Sequence, residues 1–421
     1  MIFFRAVQLI SLPLCIRAAI IPPQGSILSR QFNGYAEGQY DLLHDAIVIG
    51  GGPAGLSALS GLARVRRKAI LIDSGEYRNG PTRHMHDVVG FDGVEPAYFR
   101  WAARRLLSYY ETIQMVNGTV TKIEPAQNNI FLVTGSYPTE VFPYVEEVTL
   151  RARKVVLATG LRDILPETPG IAQNWGEGIY WCPWCDGHEH EDQALGLLGS
   201  LDDIPGLVRE ILTLNTDIVA FTNGTNNPTT RAAADKSFPD WERFLSIHNV
   251  TIDDRTITSV ERLKDGSPDS DPSLPSQPQY DLFRVNFDQG EAVERAAFFA
   301  SFQEEQRSTI GQEVGVNLYG GRLAANQSSG LQTNIPGIYA IGDANSDNVT
   351  NVPHAMFSGK RTAVYLHVSL AREDASKELS VASASDGTVE SARDMHFDPR
   401  AVWDVMDRGP RDMFYAGEFD Q

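Results

Sequence analysis

A glycine-rich turn lies between a predicted strand and a predicted helix near the N-terminal end of the sequence. An apolar run at 46–49 leads into Gly50-Gly51-Gly52-Pro53-Ala54-Gly55, and helix-forming residues follow from Leu56. This glycine spacing lets the backbone turn tightly and approach a pyrophosphate, whose charge then lies at the helix N-terminus. A second strand at 69–72 ends at Asp73, at the spacing of a carboxylate that accepts a ribose hydroxyl. Together these residues predict a dinucleotide-binding βαβ unit.

Two short motifs extend the prediction from a dinucleotide to a flavin. Thr159 and Gly160 close a strand at 155–157, and Gly342 and Asp343 close another strand at 338–341. In flavoproteins with two dinucleotide-binding domains, the terminal Gly-Asp brings a carboxylate to the ribityl and pyrophosphate part of the flavin. Each dipeptide is common, but their order after the glycine-rich turn predicts FAD as the cofactor.

A cysteine pair in the segment Trp181-Cys182-Pro183-Trp184-Cys185-Asp186-Gly187 indicates redox chemistry. A C-x-x-C pair forms a readily exchanged disulfide, and its thiolate of lowered pKa is a nucleophile. A zinc site would need two more ligands, which His188 and His190 could supply, and a purely structural disulfide is a further alternative. Beside a flavin-type fold, the pair favours redox catalysis without a metal.

The order GGGPAG, ATG, CPWCDG and GDA resembles that of low-molecular-weight thioredoxin reductase-like flavoproteins, over roughly residues 44–370. The segments LIDSGEYRN and CPWCDGHE are most similar to fungal secreted sulfhydryl oxidases and dithiol oxidases. The resemblance implies an α/β fold of two Rossmann-like, three-layer dinucleotide-binding-type domains, the second inserted into the first, and a homodimer. It places the FAD-binding domain at 44–164 plus 318–370, and a degenerate NADPH-type domain carrying the redox pair at 165–317.

The resemblance also implies roles for the redox segment. Cys185 would be the flavin-proximal thiol, which forms a charge-transfer complex and attacks the flavin C4a, and Cys182 would meet the substrate. Asp186 occupies the acid/base position of the family. Shielding by Trp181 and Trp184 would raise the pKa of its carboxyl.

Other residues have more open assignments. A capping or solvated role is the alternative for Asp186, and His188 and His354 are alternative proton carriers. Arg78 and Asn79 match the RN pair that follows the ribose acid in the family, and they are expected to line the flavin.

The second dinucleotide-type turn departs from the family pattern at 199–204. Leu201 replaces the second glycine and Ile204 replaces the last small residue, while Asp202 and Asp203 put negative charge where a pyrophosphate would bind. No arginine pair follows the next strand for a 2′-phosphate. Without NADPH, thiols must reduce the flavin, which predicts a thiol oxidase for small glutathione-like thiols, with O₂ as acceptor and H₂O₂ as product. The alternatives are a dithiol oxidase that closes an intramolecular disulfide in a secondary metabolite, and an NADPH-dependent thioredoxin reductase.

Charge and composition restrict the partners. The 421 residues include 36 basic and 54 acidic side chains, a net charge of −18, which argues against nucleic acid or an anionic membrane as a partner. After residue 21, the sequence has no apolar run long enough to cross a bilayer. Residues 264–279, rich in Pro, Ser and Asp, are expected to be an exposed loop or insertion.

The N-terminal residues predict secretion. Residues 1–21 combine an early arginine, an apolar stretch and small residues, as in a signal peptide, and residues 22–43 are a lead-in. Five N-x-[ST] sequons, at Asn117, Asn223, Asn249, Asn326 and Asn348, suit a secreted glycoprotein. The alternative is an amphipathic extension of a cytosolic enzyme. Residues 371–421 are a C-terminal extension of unassigned role.

Overall fold

A computed structural model describes residues 43–137, 146–267, 274 and 276–384. Numbered in chain order, the strands are β1 Leu43–Ile49, β2 Ala69–Asp73, β3 Ile113–Asn117, β4 Thr119–Ala126, β5 Ile130–Tyr137, β6 Glu146–Leu157, β7 Leu161–Asp163, β8 Ile179–Tyr180, β9 Leu195–Leu198, β10 Ile218–Phe221, β11 Thr251–Asp253, β12 Ile257–Lys264, β13 Leu282–Phe287, β14 Val293–Arg295, β15 Ala297–Ala300, β16 Glu304–Gln306, β17 Leu318–Tyr319, β18 Arg322–Leu323 and β19 Ile338–Ala340. The helices are α1 Pro53–Arg64, α2 Pro96–Leu107, α3 Pro183–Asp186, α4 Ile204–Ile211, α5 Pro228–Ser237, α6 Trp241–Ile247, α7 Ile310–Glu313 and α8 Val352–Ala384. The predicted signal peptide, the lead-in and residues 385–421 lie outside the described residues.

The first sheet brings the predicted dinucleotide motifs to one edge. Its order is β3-β2-β1-β6-β5-β4, and β19 pairs with the second half of β6. Strands β1, β2, β3, β6 and β19 run parallel, whereas β4, β5 and β6 form an antiparallel meander. The alternation of apolar and polar residues over 118–157 predicts such antiparallel strands. Since parallel strands end at the same edge, the loops after β1, β2, β6 and β19 meet there, where α/β sheets bind ligands.

The second sheet is parallel, in the order β11-β10-β9-β15-β8, and an antiparallel sheet β12-β13-β14 accompanies it. Its core is built from apolar side chains of β9, β10, β15 and α4. The stretches that connect the two sheets in chain order contain β7 and β16, which pair with each other antiparallel.

Three local predictions differ from the structure. The residue pattern at 208–214 predicts a helix, and the structure has α4 there, beginning earlier, at Ile204, because Pro205 suits a first helical turn. The sequence predicts a helix from Pro353 to Leu370, and the structure continues this helix to Ala384, because residues 371–384 contain neither proline nor glycine. Gln279, at the end of the expected exposed loop, is buried, and the hydrogen bond that its side chain accepts from Arg83 offsets the cost of removing it from water.

The chain divides into two compact units by its contacts. The first ends at Leu366 and contains both sheets, and the described part of the second, 367–384, is helical. Among the described residues, no helix combines the length and apolar character that a bilayer crossing requires.

Candidate active site

Gly50 and Gly52, in the turn after β1, and Gly55, in the first turn of α1, differ in how closely other atoms approach them. Gly50 has a φ of 109°, and a Cβ there would lie 2.2 Å from the carbonyl oxygen of Ala158. A Cβ on Gly55 would lie 1.9 Å from the carbonyl oxygen of Gly50, so only glycine permits this helix packing. A Cβ on Gly52 would meet no atom within 4 Å. The positive N-terminus of α1 is therefore open to an anion.

A single cleft gathers most of the predicted site residues. It holds about 1620 Å³ of empty space, part of it open to solvent. The predicted residues that line it are Gly50, Gly52, Pro53, Ala54, Asp73, Arg78, Asn79, Thr159, Gly160, Cys185, Asp186, Gly342 and Asp343. Of the predicted set, Gly55 and Cys182 do not line the cleft. Gly55 instead packs α1 against the turn, and Cys182 is bonded to Cys185, which does line the cleft.

Asp73 is buried at the end of β2 and has four partners. It accepts hydrogen bonds at 3.1 Å from the backbone N–H groups of Gly51 and Gly75. The Tyr77 hydroxyl donates to its other carboxylate oxygen, which also forms a salt bridge with Arg104 of α2. Tyr77 and Arg104 were not predicted from the sequence, and only the packing of α2 brings Arg104 to this strand end. These contacts fix the carboxylate at the cleft.

Arg78 contacts both the Asp343 carboxylate, which follows β19, and Trp181 of the redox segment. Its guanidinium donates to Asp163 at 2.6 and 3.1 Å and pairs with Glu304 at 3.0 Å and Asp343 at 3.5 Å. It also lies over the Trp181 ring, 5.5 Å from the centroid. Burial raises the pKa of the Asp343 carboxyl, and the positive charge of Arg78 opposes that rise.

The cleft fits an extended dinucleotide. The Thr159 hydroxyl is buried and has no hydrogen-bond partner among the described residues, an arrangement that costs free energy unless a ligand supplies one. The open backbone at Gly52 and the N-terminus of α1 suit a pyrophosphate. Carboxylates at Asp73 and Asp343 suit hydroxyl groups on either side of it.

The two cysteines are joined by a disulfide and face different surroundings. Cys182 precedes α3 in an extended conformation, and Pro183 begins the helix, which brings the two Cα atoms to 5.2 Å. Cys185 lines the cleft and Cys182 does not, although both are half-buried. Among the described residues, no group of three His, Cys, Asp or Glu side chains could hold a metal ion.

Asp186 ends α3 and lies buried against the cleft. Burial and the negative charge of Glu189 raise the pKa of its carboxyl well above the ordinary value, while Arg83 opposes the rise. The expected shielding by Trp184 is wrong, because that side chain is 70% exposed. Trp181 packs instead on Trp175, with ring centroids 5.2 Å apart.

His188 and His354, the two alternative proton carriers, do not line the cleft. His188 is 68% exposed and pairs with Glu191 at 3.1 Å. His354 binds the Asp347 carboxylate at 2.6 Å, and its side chain does not line the cleft. His84 and His86, which were not predicted from the sequence, do line the cleft. The closely spaced histidines of Arg83-His84-Met85-His86 were the available signal.

The second dinucleotide-type turn, after β9, is closed by its own residues. The Leu201 side chain is fully buried in the core of the second sheet. Its backbone N–H donates to the Thr225 hydroxyl at 3.1 Å, and the Ser200 hydroxyl donates to the Asp202 carboxylate at 2.5 Å. After β10, the Thr222 hydroxyl donates to Asp254. Carboxylates therefore occupy the region where a dinucleotide phosphate would need donors and positive charge.

The solved structures of other proteins show the same architecture. The thioredoxin reductase of Streptococcus pyogenes matches with a TM-score of 0.62 at 18% identity, over 78% of this chain and 99% of that chain. This likeness confirms the predicted α/β fold with two Rossmann-like domains.

Comparison with known sequences identifies related chains. The model of the pyridine nucleotide-disulphide oxidoreductase family matches residues 44–199. Thioredoxin reductase tcpT of Claviceps purpurea is 28% identical over 75% of this chain and 90% of its own length. A protein of Arthroderma benhamiae named "Probable thioredoxin reductase" is 45% identical over 343 residues, which cover 80% of this chain and 82% of that protein. The chain therefore belongs to the thioredoxin reductase-like pyridine nucleotide-disulphide oxidoreductase family.

Proposed function

We propose that the protein is an FAD-dependent thiol oxidase, a homodimer that converts small glutathione-like thiols to disulfides, with O₂ as acceptor and H₂O₂ as product. In this proposal, 44–164 plus 318–370 form the FAD-binding domain. Residues 165–317 form the degenerate second domain, which carries the redox pair.

The observation that carries the proposal is the contrast between the two dinucleotide-type turns. At the first, a Cβ on Gly52 would meet nothing within 4 Å, and the helix N-terminus is open. At the second, Leu201 is buried in the core and its N–H is already bonded to Thr225. Because this second turn does not bind NADPH in the proposed enzyme, electrons reach the cleft from thiol substrates through the cysteine pair.

The cysteine pair supplies the exchange chemistry. One substrate thiolate attacks Sγ of Cys182 and breaks the bond to Cys185, which becomes a thiolate beside the cleft. A second substrate thiolate releases the product disulfide, and Cys182 takes a proton from Asp186. FAD, when bound, would take the electron pair of the dithiol and pass it to O₂. Asp186 then regains a proton from solvent, and when the Cys182–Cys185 bond closes, the proton of Cys182 leaves to solvent through Asp186. The two protons of the substrate thiols balance those in H₂O₂.

The decisive test is oxygen consumption by the purified protein with glutathione or dithiothreitol, with and without NADPH. We expect uptake with thiol alone, one H₂O₂ for each O₂ consumed, and no effect of NADPH. If NADPH bleaches the flavin and thiols do not, electrons flow in the opposite direction and the proposal is wrong.

The names of the relatives favour one rival, a thioredoxin reductase that uses NADPH. The oxygen-consumption assay distinguishes this rival from the proposed oxidase, because a thioredoxin reductase would consume NADPH. The other rival is a dithiol oxidase, for which a dithiol that closes an intramolecular ring would greatly outperform glutathione.

Glycine substitutions test whether the cleft binds FAD. Gly52→Val is expected to leave the melting temperature of the apoprotein unchanged, because its Cβ meets no protein atom, yet to weaken flavin binding at least tenfold, about 1.4 kcal/mol. Gly50→Val, the contrasting variant, is expected to destabilise the fold itself, because its φ is 109° and Ala158 is in the way. Apoprotein melting and flavin titration measure both effects. Undiminished flavin affinity in Gly52→Val would place the cofactor elsewhere.

We also propose that the protein is secreted and glycosylated. The asparagines of all five sequons are exposed, and three of them, Asn223, Asn249 and Asn348, adopt positive φ angles outside the strands and helices. Such sites are accessible to a glycosyltransferase. A fungal host is expected to release a protein that loses mass on treatment with an N-glycosidase. An intracellular protein of unchanged mass would favour the cytosolic alternative.

A further inference from the structure

The Asp186 carboxyl is buried, yet the proposed function requires it to give up and regain a proton in each cycle. Asp186 ends α3, and Glu189 lies one helical turn later, in the short 3₁₀ helix at 188–190. Residues three apart on consecutive helical turns share a face. We propose that Glu189 and His86 form a proton relay that connects Asp186 to solvent, an inference that rests on the proposed function.

Side-chain exposure increases step by step along this path. The Glu189 side chain is 5% exposed, that of His86 is 9% exposed, and that of Asp92 is 46% exposed. Glu189 Oε1 lies 3.4 Å from Nε2 of His86, and Nδ1 of His86 lies 3.8 Å from Asp92. The imidazole therefore has one nitrogen toward the buried carboxyl and the other toward the surface.

The two relay groups are held in place from separate parts of the chain. The Ser276 hydroxyl, from the Pro/Ser-rich insertion, donates to Glu189 Oε1 at 2.6 Å, and the backbone N–H of Gln279 donates to the Glu189 carbonyl at 2.7 Å. His86 follows Met85, whose backbone pairs with Val94 and Gly93 across the loop after β2. The insertion, which had no assigned role, thus orients the inner member of the relay.

Transfer along the path conserves protons and charge. A proton that arrives from solvent at Nδ1 of His86 allows the proton on Nε2 to pass to Glu189. Glu189 then hands its proton to the Asp186 carboxylate, and the same steps in reverse release one. The other titratable groups that face this path are Arg83, His84 and Glu95 from the segment after β2, Tyr180 from β8, His190 from the 3₁₀ helix, and Asp281 beside the insertion.

The test uses Glu189→Gln and His86→Gln in the flavin-loaded protein, with His188→Gln as the matched control. His188 lies in the same short helix as Glu189 but is 68% exposed. Anaerobic bleaching of the flavin by dithiothreitol is followed between about pH 5.5 and 9, a range that covers ordinary imidazole and thiol pKa values. Both relay variants are expected to lose about tenfold or more of the bleaching rate, with a changed pH profile, whereas the control keeps the wild-type rate and profile. Added imidazole buffer is expected to restore the rate of His86→Gln.

A second readout does not depend on turnover. In the reduced protein, iodoacetamide alkylation of the cysteines is expected to shift to lower pH in Glu189→Gln, because removing a nearby negative charge favours the thiolate. Wild-type bleaching rates in both variants, or an equal loss at every pH without rescue by imidazole, would overturn the relay. Failure of dithiothreitol to bleach the wild-type protein would instead contradict the proposed function, and the alkylation profile would still test the charge of Glu189.

Discussion

Cys185→Ser and Cys182→Ser are each expected to lower thiol-driven oxygen uptake by about a thousandfold or more, since neither variant can form the disulfide that the substrate must attack. The two variants should differ in their spectra. Cys185 lines the cleft, so Cys182→Ser keeps a thiol beside the flavin, and a long-wavelength absorption band should appear as that thiol ionises. Cys185→Ser should lack the band. Oxygen-electrode rates and absorption spectra across pH measure both effects.

The two serine variants control for each other, because they make the same chemical change on either side of one disulfide. Binding of the flavin with wild-type affinity in both would show that the fold is intact. Retained turnover in either variant would mean that the disulfide is structural. A long-wavelength band in Cys185→Ser alone would show that Cys182, not Cys185, is the thiol beside the flavin.

Asp186→Asn is expected to lower turnover by about a hundredfold or more, because an amide can neither supply nor accept the proton that Cys182 exchanges. Turnover with dithiothreitol measures the loss. Asp192→Asn is the matched control, since Asp192 is exposed in the same segment and asparagine tolerates its φ of 59°. Full activity in Asp186→Asn would show that a group other than Asp186 acts as the acid and base.

Relative to the wild type, Asp186→Asn is expected to gain free energy of unfolding as the pH rises. Burial and Glu189 raise the pKa of Asp186 in the folded protein, so above the ordinary aspartate pKa of about 3.9 the folded state holds a proton that the unfolded state has released. Wild-type stability from this group is therefore complete at low pH and declines as pH rises toward the folded pKa. Asparagine has no such dependence. Urea unfolding at several pH values measures the difference, and a constant difference at all pH values would contradict the burial argument.

The loss of activity and the gain of stability have one physical origin. A carboxyl held away from water destabilises the folded state at neutral pH, and that same burial keeps a proton available for exchange beside the cysteines. His188→Gln, at an exposed position, is expected to change neither property.

The parts of the site that depend on backbone geometry over a few residues could be predicted from local sequence patterns. Gly50 and Gly55 are required because a Cβ would strike neighbouring backbone, and the apolar run before them makes β1. The spacing to Asp73 follows from the length of a βαβ unit. The replacement of glycine by Leu201 was likewise visible in the sequence, because a side chain at that position blocks close approach to a phosphate.

Which distant side chains surround those motifs depends on the tertiary structure and was not predictable from local patterns. The carboxyl of Asp186 was expected to be shielded by Trp184, a neighbour in sequence, but it is buried by packing beside Glu189 while Trp184 points to solvent. Arg104 reaches Asp73 from another helix, and His86 reaches Glu189 from the loop after β2, about a hundred residues earlier in the chain. Local sequence patterns record the geometry of turns and the periodicity of strands and helices. They do not record which segments become neighbours when the sheets pack, and those neighbours set burial, charge and proton access.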